Sequence, residues 1–321
     1  MREALAAWLS AQRGDDASVV DLRRIATGHS RAMWRCEMSD ASRYVVRIEQ
    51  GGVFGTSGSD EFEMMRLAGA LGSPVATVRW NEPTGGVIGQ PFFVMDFVDS
   101  LAAAREDRTL PGPVGVDFIR RLDELHRLDW RAHSEDLSSR FLDSRMQNTS
   151  GATGRSATVA QIARWAGVYR SASDRVVPLL EEGEAWLRRH APATERVAIV
   201  HGDPGPGNFL HDGSRVVALT DWEFAHLGDP MEDWVYVIAM RGARTMSIHE
   251  WRTLIRAEAG VEVTDADVRY WSAFNFFKGA CANLTCLQAF AGPNPAPNMA
   301  IIGTALHQTF LRNLALLVAN A

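Results

Sequence analysis

Lysine is almost missing from this chain: of 33 basic side chains only Lys278 is one. Any task that needs a fixed cation therefore falls to arginine, which stays charged and grips oxyanions with a planar fork instead of a point charge. Cysteine is scarce as well. Cys36, Cys281 and Cys286 are odd in number and show no C-x-x-C spacing, which excludes a disulfide framework and a thiolate zinc site and fits a reducing cytoplasm. Positive charge is not in surplus either. A net charge of −6 leaves no basic footprint for a phosphate backbone, so a nucleic-acid partner is excluded. No stretch approaches the roughly 18 apolar residues of a membrane span, and the opening MREALAAWLSAQRGDD is an amphipathic helix broken by charge, not a signal-peptide core. A cytoplasmic protein without a membrane partner is expected. Internal repeats are absent, and from Val268 to Ala321 there is not one Asp or Glu.

What is present is ample apolar material, 46% of 321 residues, enough for about two domains. Short β patterns come first: 19–25, 33–38 and the alternating 42–49, which sets Val45, Arg47 and Glu49 on one face and Tyr44, Val46 and Ile48 on the other. A Gly- and Ser-rich stretch, 51–59, reads as flexible and precedes a helix over 60–71. A buried strand follows at 91–98, PFFVMDFV. Beyond it the signals turn helical: 113–128 with Val114, Phe118, Leu122 and Leu125 in step, then 158–177 and 179–190, with Ile162, Trp165 and Tyr169 on one stripe. Between them, 131–156 lacks periodicity and reads as a mobile insert, a candidate lid. His126 reads as a structural histidine at a helix end.

The chain is organised around AIVHGDPGPGNFLHDGSRVVALTDWEFAHLGDPMED, Ala198 to Asp233. Strand, turn and strand deliver Asp203, Asn208 and Asp221 from neighbouring strand ends. Phosphoryl transfer needs such a set. One carboxylate orients the attacking hydroxyl and accepts its proton, while a second carboxylate and an amide oxygen hold magnesium, a hard cation that prefers oxygen ligands. Asp229, Pro230 and Glu232 read as N-cap, first-turn proline and N3 carboxylate of a helix reaching Arg241 and ended by Gly242, with Asp229 holding the loop that carries Asp221.

The order H-x-D-x-x-x-x-N, D-W-E, L-G-D-P-x-x-D resembles the aminoglycoside phosphotransferase and choline kinase-like family. The likeness is strongest to the branch associated with acyl-CoA dehydrogenase-type proteins, which QIARWAGVY and AWLRRHAP also resemble. The resemblance implies an α+β, two-lobed protein kinase-like fold: a small antiparallel-sheet lobe over 1–98, ending in the hinge, and a larger, mainly helical catalytic and substrate lobe over 99–321. It implies ATP and Mg2+ as cofactors and a small-molecule hydroxyl as substrate. Asp203 would be the catalytic base, His201 the loop-stabilising histidine, and Asn208 and Asp221 the metal ligands.

By the same resemblance, Gly28 and Ser30 would meet the nucleotide phosphates from a hairpin turn, although an ordinary turn explains them nearly as well and Arg31 stands where relatives often carry Asn. Arg47 takes the phosphate-pairing place usually held by lysine, with Val45 against adenine. Met95 would line the pocket, and the backbone at Asp96 and Val98 would bond the base. Arg47 needs a carboxylate brace; alignment through Pro74 selects Glu61, with Glu63, on another face, as the alternative. Neither an H-R-D loop nor a D-F-G with A-P-E segment is present, so a small molecule is a better acceptor than a protein. The family's C-terminal helices wall the acceptor site. Free of acids here, they favour a neutral or anionic acceptor with an apolar body, such as a hydroxyacyl thioester, over a polycationic aminoglycoside, unless Glu135, Asp136 or Asp143 reaches the site. Plain helix core also explains their apolar character. A catalytically silent nucleotide-binding scaffold is the alternative of another class.

Overall fold

The computed structural model describes residues 1–25, 31–49, 53–101, 112–136, 153–292 and 297–319. Strands β1 (Val19–Ile25), β2 (Arg31–Met38) and β3 (Arg43–Glu49) run as an antiparallel meander, and β4 (Val78–Glu82) and β5 (Phe92–Asp96) complete one sheet in the order β1-β2-β3-β5-β4. β4, an edge strand cut off by Pro83, lies outside the sequence expectations. β3 alternates as read, yet both of its faces are covered. Val46 and Ile48, with Phe92 and Val94, pack under Leu5 and Leu9 of helix α1 (Arg2–Arg13). Val45, paired in register with Met95, turns with Phe93 toward helix α2 (Gly58–Ala70) and the second lobe. Arg47 shares that inner face and is buried.

The stretch expected to be flexible is partly pinned. Val53 is buried, and Phe54, at φ +65°, donates its N–H to Thr285 Oγ1 at 2.7 Å and sets its ring 5.8 Å from that of Phe224. Small-lobe chain is thereby fastened to the helices of the large lobe. An apolar cluster runs through both lobes, from Val45, Met64 and Phe93 to Val114, Phe209 and Leu219.

In the large lobe α3 (Gly112–Arg127) buries Val114, Phe118, Leu122 and Leu125 as its spacing predicts. Helix α4 (Gly154–Ala172) starts earlier than read, because Thr153 and Ser156 form a reciprocal capping box, and α5 (Pro178–Arg189) opens on its proline. Part of the expected insert thus belongs to a helix, residues 130–136 form a short 3-10 turn, and 137–152, with Asp143, lies outside the described residues. Two small antiparallel pairs follow, β6 (Ala198–Val200) with β9 (His226–Gly228), and β7 (Phe209–His211) with β8 (Val216–Leu219). Helix α6 (Met231–Tyr236) continues as a π-helical turn over Val237–Arg241 and ends, as expected, at Gly242. Helices α7 (Ile248–Ala259), α8 (Asp265–Ala291), α9 (Pro297–Ile301) and α10 (His307–Ala319) complete the lobe, with a second π turn, Ile302–Leu306, between the last two.

One expectation needs correcting here. The run Asn298–Ala319 has a mean hydropathy of 1.2 and is long and apolar enough, by length and composition alone, to cross a membrane. Its Leu311 and Leu314 are buried in the lobe's core cluster, but only 28% of the run is buried, and Ile301 and Leu316 are exposed.

Leu9 is fully buried between α1 and the sheet. Leu9→Ala should lower the unfolding free energy by about 2–5 kcal/mol, the usual cost of an unfilled leucine site, measured by urea denaturation at an unchanged m-value.

Candidate active site

The loop between β6 and β7 carries the polar groups read from sequence, and its shape is dictated by glycine. Gly202 sits at φ +81°, and a Cβ there would lie 2.4 Å from Phe224 O, so no other residue fits. A buried carboxylate holds the turn: Asp233 accepts from His201 N and Gly202 N, both at 2.8 Å, and from His126 Nε2 at 2.9 Å. Burial alone would raise the Asp233 pKa, but His126 and these donors hold it below the usual carboxylate value. His126 is structural, as expected. The loop-holding role assigned to Asp229 is a correction. Asp229 caps α6 through Met231 N (2.9 Å) and accepts from Thr194 Oγ1 (2.6 Å). The anchor is Asp233, the last residue of the same L-G-D-P-x-x-D motif, and it braces the loop of Asp203.

His201 is fully buried behind the loop. Its Nε2 lies 3.0 Å from Thr220 O, so that nitrogen carries the proton, and burial lowers the pKa enough to favour the neutral ring. Asn208 Nδ2 donates to both the backbone oxygen and Oδ2 of Asp203 at 2.8 Å. That leaves Asn208 Oδ1 buried without a hydrogen-bond partner. Thr220 N donates to Asn208 O at 2.9 Å, tying the end of β8 to the loop and bringing Asp221 alongside. Asp221 adopts φ +66°, a left-handed conformation uncommon for non-glycine residues but one that aspartate enters more readily than most.

From the small lobe, Arg47 reaches Glu61 Oε2 with Nε and Asp221 Oδ1 with Nη2, both at 2.9 Å. Glu61 is thus the partner of Arg47, while Glu63 pairs with Arg66 on the helix surface. Burial works against the charge of Arg47, but Glu61 and Asp221 outweigh it and raise its pKa. Burial likewise opposes ionisation of Asp221, and the charges of Arg47 and Arg241 still hold its pKa down. Val45 and Met95 adjoin each other on the same inner face. The amide of Asp96 donates to Thr77 O at 2.8 Å, so of its backbone groups only the carbonyl could serve adenine; Val98 is half-buried just beyond. Gly28 and Ser30 lie outside the described residues.

Asp203 and Asp221 open onto a cavity of about 430 Å³. Glu223, Tyr236, Arg241 and Lys278 also line it, as do Asn283, Asn298, Ile301, Ile302, Leu306 and Phe310. Four groups here were not singled out from sequence. Arg241, read as a helix end, grips both Asp203 oxygens, Nε on Oδ1 at 2.6 Å and Nη2 on Oδ2. Lys278 Nζ reaches Gly202 O at 2.7 Å and Glu232 Oε1 at 2.6 Å, so Glu232 is an ion-pair partner, not the N3 cap expected. Burial, followed by the neighbouring Asp221 charge, raises the Glu223 pKa to about 8. Burial also pushes the Tyr236 phenol up, with Asp203 adding to the effect. Arg241 and Lys278 stand 38 and 46 positions from their carboxylate partners, so no local spacing marks either of them.

Comparison with known proteins agrees with this construction. A chain from Ralstonia eutropha, provisionally described as an aminoglycoside phosphotransferase, superposes with a TM-score of 0.68 at 22% identity, covering 99% of this chain and 98% of that one. The aminoglycoside phosphotransferase APH(4)-Ia, solved as a ternary complex with ADP and hygromycin B, gives 0.63 at 14% identity, with 97% and 98% covered. These likenesses establish a two-lobed kinase-like fold. Among curated sequences, mouse acyl-CoA dehydrogenase family member 10 is 28% identical over 243 residues, 68% of this chain, and the probable acyl-CoA dehydrogenase IBR3 of Arabidopsis thaliana is 28% identical over 218 residues, 62% of this chain. The matched region is 22% and 25% of those two relatives' lengths. The sequence model of the phosphotransferase enzyme family, APH, matches residues 21–269, and this chain belongs to that family.

Proposed function

We propose that this chain is an ATP- and Mg2+-dependent small-molecule kinase whose acceptor is a hydroxylated metabolite, neutral or anionic, with an apolar body, such as a hydroxyacyl thioester. Residue 98 is the proposed boundary between its lobes, and the buried, unpaired cysteines support a cytoplasmic setting. The observation that most supports the reading is the cavity itself, lined by Asp203 and Asp221 together with amide and apolar groups from the chain after Val268, a stretch without an acid.

Asp203 orients the acceptor hydroxyl and takes its proton. The unpartnered Oδ1 of Asn208 and the carboxylate of Asp221 suit a hard cation, which when bound would neutralise phosphate oxygens. Among the described residues no three His, Cys, Asp or Glu side chains cluster as a metal cage, which fits a site completed by the nucleotide's own oxygens. Arg47, braced by Glu61, grips phosphates with a fork that lysine lacks. His201 stays neutral and supports the loop from behind.

The acceptor class follows from charge. Among the described residues three carboxylates line the cavity, and each is already compensated: Asp221 by Arg47, Asp203 by Arg241, and Glu223 by holding its proton to about pH 8. A polycation entering here would lose water without gaining a free anion, a costly exchange. The neighbour solved with hygromycin B is the specific reason to retain an aminoglycoside acceptor as the second reading.

Asp203→Asn should lower turnover by about 10²–10⁴, the range for losing a general base, at unchanged nucleotide affinity, whereas Asp221→Asn should weaken Mg2+-dependent nucleotide binding; wild-type turnover in both would contradict the assignment. In isothermal titration, kanamycin should show no tight binding, and tight binding reversed by salt would favour the second reading. Complete absence of Mg2+-dependent ATP turnover would favour the scaffold.

Glu223 also makes stability depend on pH. Its pKa is about 8 in the folded chain against 4.5 for an ordinary glutamate, so between these values the folded chain keeps a proton that the unfolded chain releases, and stability falls as pH rises. Glu223→Gln should flatten that decline, read as thermal midpoints from pH 5 to 8; an equal slope in both proteins would refute it.

A further inference from the structure

Arg241 is built into its place by three separate features. The π-helical turn Val237–Arg241 departs from α-helical geometry, as such turns often do at functional sites, at the position where the side chain enters the cavity. Opposite it, Gly205 at φ +140° leaves room for the arginine stem, since a Cβ there would lie 2.7 Å from Arg241 Cβ. Gly207, at φ +95°, supplies the left-handed backbone that carries the loop past the guanidinium, where a Cβ would meet Nη1 only at an ordinary contact distance of 3.7 Å. The loop sequence G-D-P-G-P-G-N thus serves the arginine as well as Asp203.

The guanidinium is used on one edge only. Nε and Nη2 face Asp203, and among the described residues Nη1 has no acceptor, while 29% of the side chain is exposed. Of the other cations nearby, Lys278 is taken by Glu232 and Gly202 O, and Arg47, assigned to the nucleotide phosphates, is not among the residues lining this cavity. Among the described lining residues Arg241 is therefore the cation with donors to spare, and those from the chain after Val268 include no acid.

Resting on the phosphotransferase reading, we propose that Arg241 is an acceptor-binding residue that takes an anionic oxygen group, a carboxylate or phosphate, lying a few bonds from the hydroxyl presented to Asp203. Bound to both, Arg241 sets the distance between the acceptor's anion and its reacting hydroxyl. The apolar remainder lies along Ile301, Ile302, Leu306 and Phe310. This selects the anionic half of the acceptor class proposed above.

The test is isothermal titration of the full chain, preloaded with Mg2+ and AMP-PNP, against 3-hydroxydecanoate and its uncharged analogue 3-hydroxydecanamide. The wild type should bind the carboxylate at least about tenfold tighter, the value of one charge-assisted bidentate contact, and high salt should erode that preference. Arg241→Gln should erase the preference while leaving the amide's affinity within about twofold, and Arg241→Lys should restore part of it; thermal melts of both variants report folding. No carboxylate preference in the wild type, or an equal loss for both probes in Arg241→Gln, overturns the proposal and leaves Arg241 as a support for Asp203. The AMP-PNP loading step separates the two readings: failure to bind Mg2+ and nucleotide counts against the kinase reading, whatever the acid and amide do.

Discussion

Everything at the catalytic end depends on one buried carboxylate. Asp233 turns two successive backbone amides and a histidine ring toward itself, and a turn with glycine at 202 gives those amides a common direction. Buried backbone donors must be paired, and an anion is a stronger partner than a carbonyl. The loop therefore has one favourable shape, and that shape projects Asp203 into the cavity. From the opposite side Lys278 fastens the carbonyl of the same Gly202. Donor and acceptor of one peptide region are held by opposite charges, and the chain's lone lysine is used inside the large lobe instead of at the nucleotide.

The arginine on β3 ties the two lobes together. A single ammonium presents a point charge, but the fork of Arg47 addresses a helix of one lobe and the post-β8 carboxylate of the other at equal distance. Buried pairs of this kind add little net stability over apolar residues, yet breaking one leaves an uncompensated charge, about 3–5 kcal/mol. Arg47 thus makes the relative placement of the lobes depend on charge at the nucleotide end. The Phe54 contact with Thr285 does the same at the acceptor end through a hydrogen bond.

A common theme is compensation before substrate arrives. Asp221 and Asp203 each face a guanidinium, and burial raises the Glu223 pKa to about 8, so that its protonated form prevails at neutral pH. Desolvating a ligand in such a cavity is tolerable for apolar and amide-compatible surface and for an anion that can share Arg241. It is unfavourable for a polycation. The acid-free stretch after Val268 contributes Asn283, Ile302 and Phe310, among others, to the same cavity.

The sequence by itself determined the fold class and most helices and strands, and singled out Asp203, Asn208 and Asp221 as candidates, because those features are local. Periodicity, turn residues and a motif confined to Ala198–Asp233 express them without reference to the rest of the chain. Glu61 over Glu63 was readable once a homologous register was assumed. The tertiary structure alone decided that Arg241 faces Asp203, that Asp233 and not Asp229 anchors the catalytic loop, that Glu232 pairs with Lys278, and that residues 53–55 dock on α8. Each of these is an interaction between charges or hydrogen-bonding groups far apart in the chain, or a choice between two acids in one motif. Which partner a buried ion meets depends on how helices pack, and no local spacing records that.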